Sequence, residues 1–186
     1  MTAILTSPGL KEWSAAVHAL LDGRQTVLLR KGGIHEKRFE VAAPRFLLFP
    51  TVAHSHLDRM RPEHRDLLEQ AAADSTDDQI VVRAGARVID AIEVTRPENL
   101  DEIAAEHIWT ADSVREDRLD FRPRHRLTVL VVSAAALTEP VTLPRTPDYR
   151  GCTSWVSLPV TPQWGPPVHD DATLREVAAR VRRSVG

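Results

Sequence analysis

The sequence is short of several things, and each shortage closes off a class of protein. It has one cysteine, Cys152, so neither an intrachain disulfide framework nor a cysteine-rich zinc module is available. It has three lysines (Lys11, Lys31 and Lys37) among 24 basic residues, the other 21 being arginine. Against 26 acidic residues this leaves a formal charge of −2, which excludes a protein that is basic all over and coats nucleic acid. No apolar run approaches the roughly 18 residues needed to span a membrane. The N-terminus lacks the basic-then-apolar layout of a signal peptide, so a cytoplasmic protein with no membrane partner is expected. What remains is 186 residues, 42% hydrophobic and 27% charged. That is enough for one domain over residues 1–186 with a single buried core.

Periodicity predicts an α+β fold. Ser7-Pro8-Gly9 reads as a helix start, with Leu10, Trp13, Val17 and Leu20 at helical spacing. Thr26 to Arg30 reads as a strand stopping at Gly32-Gly33, and Arg38 to Val41 and Phe46 to Phe49 as extended pieces. A helix is expected from Pro62, then a polar surface loop from Asp74 to Asp78. Ile80 to Arg83 and Arg87 to Val94 flank Ala84-Gly85-Ala86 like a hairpin bent at glycine. Pro97 and Thr110 open two further helices. Leu127 to Val132 is apolar on both faces and should be a central strand. Pro162 to Pro167 reads as a stiff connector to a last helix at about 171–184. Strands cluster rather than alternate with helices. This favours a central, mainly antiparallel sheet, able to curl toward a small barrel, with helices flanking it.

The densest chemistry is Arg30 to Arg38. A strand ending in Gly32-Gly33 can turn backbone N–H groups toward one point, and Arg30, Lys31, His35 and Lys37 add charge for a phosphate. No Gly-Lys-Ser/Thr follows, so this is not a nucleotide-binding P-loop; the plain alternative is a turn with solvated charges. Around Cys152, Tyr149 and Trp155 can stack a base while Arg150 meets a phosphate. Arg115, Arg118, Arg122, Arg124 and Arg126 form a basic stretch, but interleaved Glu116, Asp117 and Asp120 read as a solvated face.

Catalytic candidates are thinner. Asp90 shares a strand face with Val88 and Ile92, an inward carboxylate that needs a partner. None of the three lysines sits in a Glu-x-Lys of the kind that holds Mg²⁺ in restriction nucleases. His54 and His56, with Asp58 and His64 nearby, have no diagnostic third ligand, so no metal and no cofactor are expected. His35, Glu36, Asp90 and Cys152 stand as the candidates of a rival reading, a small enzyme acting on a phosphorylated or nucleotide substrate. A protein-docking scaffold is a third.

Three blocks carry a family resemblance. The first is Lys11-Glu12-Trp13 running through Val27-Leu28-Leu29-Arg30-Lys31-Gly32-Gly33-Ile34. The second is Arg45-Phe46 with Leu48-Phe49-Pro50-Thr51 and His54; the third runs from His107-Ile108-Trp109 through Arg118-Leu119 to Pro147, Tyr149, Gly151-Cys152 and Ser154-Trp155-Val156. Together they resemble the bacterial domain of unknown function 1802, over about residues 10–158. Some members of that family are associated with a restriction-type nuclease domain. The resemblance therefore implies a place near DNA restriction or defence, with DNA or RNA and such a nuclease as the expected partners.

Overall fold

The computed structural model describes residues 3–32, 39–53 and 55–186. Gly33, His35, Glu36, Lys37 and His54 lie outside the described residues.

Among the described residues seven strands form one mixed sheet: β1 (Ser7–Trp13), β2 (Val27–Lys31), β3 (Arg45–Thr51), β4 (Gln79–Glu93), β5 (Leu127–Pro144), β6 (Trp155–Leu158) and β7 (Trp164–Pro167). Their order is β2-β5-β4-β3-β1-β6, with β7 on β5. Among the described residues only β1 and β3 run parallel, and every other ladder is antiparallel. The helices are α1 (Ser14–Leu21), α2 (His56–Arg59), α3 (Leu68–Ala73), α4 (Ala111–Val114) and α5 (Asp171–Val185). Tighter 3₁₀ turns at Pro62–Leu67 and Pro97–Glu106 join them.

The apolar run in β5 works as its sequence demands. Val129 and Val131 face Leu174, Val177 and Val181 of α5, while Leu130 and Val132 point to the other side among Leu10, Leu28, Phe46 and Leu48. Helix α5 starts where Asp170 accepts a hydrogen bond from Thr173 N at 2.8 Å, capping its first turn.

Four local expectations are corrected, each by tertiary contact. Ser7–Trp13 is a strand because β3 and β6 pair with it on both sides, which outweighs local helical spacing. Gly85 is no hairpin bend: β4 continues through it, and the absent side chain makes room for the Trp164 indole. The prolines near Trp164 belong to strand β7, on β5, instead of a plain connector. Asp74 is no surface residue but is 1% exposed. Its Oδ2 lies 2.6 Å from His18 Nε2 and 2.7 Å from Arg83 Nε, and its Oδ1 accepts from Arg83 Nη2. This network ties α1, the end of α3 and β4 together. Burial alone would raise the Asp74 carboxyl, but the hydrogen bonds from His18 and Arg83 outweigh it and hold it below the usual range.

Candidate functional site at the seam of the sheet

Strands β2 and β1 lie four places apart in the hydrogen-bonding order, yet they come within side-chain reach of each other. No ladder joins them among the described residues. A side chain spans the seam instead: Arg30 Nη1 donates to Lys11 O at 2.9 Å and lies 3.3 Å from Glu12 Oε2. Glu12 is 4% exposed, and its Oε1 accepts from Trp13 N at 2.9 Å. The Arg30 guanidinium lies over the Phe39 ring, 5.2 Å from its centroid. Phe39 stacks on Trp155 at 6.0 Å, and Lys11 Nζ donates to Gly151 O at 3.0 Å. Thus the two segments singled out in the sequence, around Arg30 and around Cys152, converge on β1.

Beyond the end of β2, Lys31 Nζ donates to the carbonyl oxygens of Phe121 and Arg122, the second at 2.9 Å. His125 Nδ1 lies 3.3 Å from Gly32 O. These bonds dock the segment after α4 onto the strand end. That segment, Arg115–Asp120, is a wide π-helical turn, with Phe121 N donating to Glu116 O, five residues back, at 3.2 Å. Such turns are rare and frequent at functional sites. Arg59 makes a bidentate pair with Asp117, at 2.6 and 3.0 Å, and Arg118 is half-buried beside Glu12, Arg30 and Arg59. Burial, then the neighbouring guanidinium of Arg30, weakens the hold of Arg118 on its proton, but arginine remains charged at any ordinary pH. Burial and Arg118 likewise lower Lys31. Five cations (Arg30, Lys31, Arg59, Arg118 and Arg122) thus gather with five carboxylates (Glu12, Asp58, Glu116, Asp117 and Asp120), a dense and balanced cluster of charge.

An aromatic box backs the cluster. Trp13 packs on His56 at 4.2 Å and meets Trp109 edge-on at 4.8 Å and 85°. The cavity it shares with Asp117 and Arg118 has a volume of about 10 Å³, room for one water and not for a base. His56 and His107 are both buried; desolvation, then Arg59 for the first and Arg61 for the second, pulls them down to about 4 and about 3. An unfolded histidine titrates near 6.5, so below that pH the unfolded chain takes up protons that the folded one refuses. Their stabilisation is therefore complete above pH 6.5 and is lost as pH falls through these low values. Denaturant titrations at pH 7 and pH 5 should show a loss of roughly 1–2 kcal/mol per histidine. Unchanged stability would contradict their buried, neutral state.

The remaining sequence candidates fall differently. Tyr149 is buried, its ring edge-on to Phe49 at 5.1 Å, and offers no face to a base. Trp155 is half-buried, edge-on to Phe46, with Nε1 donating to Glu40 O at 3.0 Å. Arg150 and Cys152 are exposed. Asp90 does not point inward unpaired: it accepts from Arg182 at 2.7 Å and from its neighbour Ala91 N. Among the described residues no three His, Cys, Asp or Glu side chains converge as metal ligands. No helix among them is long and apolar enough to cross a membrane. Sequence reasoning missed Glu12, because a carboxylate in a supposed helix reads as solvated. It also discounted Arg118, whose acidic neighbours include Asp117, engaged by Arg59.

Among solved structures, the chain is similar to the crystal structure of ASCH from Zymomonas mobilis: 13% identity, 92% of this chain and 93% of that one covered, TM-score 0.45. Two crystallised mutants of ZmASCH give 14% identity over 92% of this chain, covering 94% and 96% of theirs, with TM-scores of 0.47 and 0.44. No curated protein matches the chain. Residues 9–180 match the model of the family described as Domain of unknown function (DUF1802), and the chain belongs to that family.

Proposed function

We propose that this protein is a non-catalytic nucleic-acid-binding module whose seam between β1 and β2 receives the phosphate backbone. The observation that carries this reading is the convergence of Arg30, Lys31, Arg59, Arg118 and Arg122 at that one place in a chain that is negative overall. Lys31 spends two of its three N–H donors on carbonyls, leaving one. Arg118 has no ion-pair partner among the described residues, so its fork of donors can meet a phosphate. Arg30 holds the seam in shape and adds its charge, with Gly32 beside it; Gly33, His35 and Lys37 continue the chain from there as further proposed contacts. Arg150, exposed near Lys11, extends the cationic rim, and Trp155 borders it through Phe39. The family resemblance supports a role beside a restriction-type nuclease, as an accessory that presents or senses DNA or RNA.

A titration against single- and double-stranded DNA and RNA at several salt concentrations tests this. Binding should weaken steeply with salt, and Arg118→Ala should reduce the log–log slope by about one. Absence of binding to every one of these polymers would sink the reading.

A further inference from the structure

Phe121 is 56% exposed, and it is the only aromatic among the large hydrophobic residues left in solvent within the described part of the chain. Its setting is built, not frayed. The turn that follows places Arg122 at φ 51°, the only non-glycine residue with positive φ among those described. An arginine there is strained, and such strain persists only where surrounding contacts impose it. Here Lys31 Nζ donates to the carbonyls on both sides of the Arg122 Cα, and His125 fastens the far end of the turn to Gly32. In this conformation the Arg122 guanidinium covers the Phe121 ring at 4.8 Å from the centroid. Arg124 is exposed on the same turn, whereas Arg126 is engaged by Glu93.

We propose that Phe121, backed by Arg122, is a stacking platform for one unpaired base of single-stranded nucleic acid. The proposal deepens the function proposed above and rests on it. A rigid aromatic face beside a cationic track is how proteins hold single strands without reading sequence. The lysine that gathers phosphate at the seam also holds the platform's backbone, so backbone and base would be bound by one connected unit. Charge favours this occupant: an apolar protein surface would have to bury the Arg122 and Arg124 charges along with the ring. The box behind Arg118 has no room for a base, whereas the outer ring is exposed to one.

The test uses a short single-stranded DNA carrying one 2-aminopurine, whose fluorescence is quenched on stacking, with Phe121→Leu, Phe121→Trp and Arg118→Ala. Leucine keeps apolar bulk but has no π-face. Phe121→Leu should bind at least about fivefold more weakly and lose the quenching, while Phe121→Trp retains both. Arg118→Ala should weaken binding yet still quench when saturated. Because Phe121 is exposed, both of its variants should melt cooperatively. Binding and quenching unchanged in Phe121→Leu would overturn the platform, leave phosphate binding standing, and recast the ring as a protein contact. A wild-type chain that binds no single strand would overturn both.

Discussion

Asp74→Ala is expected to lower the melting temperature by about 6–12 °C, from a loss of about 3 kcal/mol at 2–4 °C per kcal/mol. The carboxylate is 1% exposed and receives hydrogen bonds from both His18 and Arg83. Removing it leaves two cationic or polar groups facing each other in a dry site, one of which, Arg83, keeps 29% of its side chain in solvent. That exposure is why the lower part of the range for broken buried pairs applies. The sign of the pH dependence follows from the lowered carboxyl. Its stabilisation is present above the unfolded value near 3.9 and is lost as pH falls through the folded value below it. Wild type and Asp74→Ala should therefore differ most near neutral pH and converge in strong acid. A gap that stayed constant down to pH 2 would contradict the account.

Gly85→Ala should destabilise by about 1–3 kcal/mol and disturb the edge of the sheet around β7. A Cβ at that position would lie 2.6 Å from Trp164 Cε2 and nearer still to two other ring atoms, so the indole must move. It has little freedom to do so, because the Arg45 guanidinium lies 3.8 Å from the centroid of the same ring. The expected result is a lower melting temperature with a changed near-ultraviolet circular dichroism signal from the displaced tryptophan. Unchanged stability and spectrum would mean that Trp164 does not occupy the space Gly85 leaves.

These two positions also show what could be read in the sequence and what could not. The Leu127–Val132 run and the α5 stripe were legible, because burial on both faces or on one stripe leaves a direct periodic mark. The α+β class and the mainly antiparallel sheet followed from strand clustering; the sheet is open and does not close into a barrel among the described residues. Gly85 and Asp74 were not legible. Glycine in a run and aspartate in a polar stretch usually mark turns, and only distant partners, Trp164 and Arg83 with His18, give them other roles. The site was half legible. The Arg30-Lys31-Gly32 end of β2 stands out by composition, but its joining to Phe121 and to Arg118 is a long-range contact with no local signature. Tyr149 looked like a stacking residue on chemistry alone, and burial against Phe49 removed it.

The seam between β1 and β2, with the turn docked on it, is the proposed binding place for nucleic acid. Backbone amide spectra of the protein recorded during addition of a short single-stranded DNA at low salt test it most directly. Shifts should concentrate at Lys31, Gly32, Arg118, Phe121 and Arg122, and should vanish when salt is raised. No shifts, or shifts centred on α5 and Asp90 instead, would contradict it.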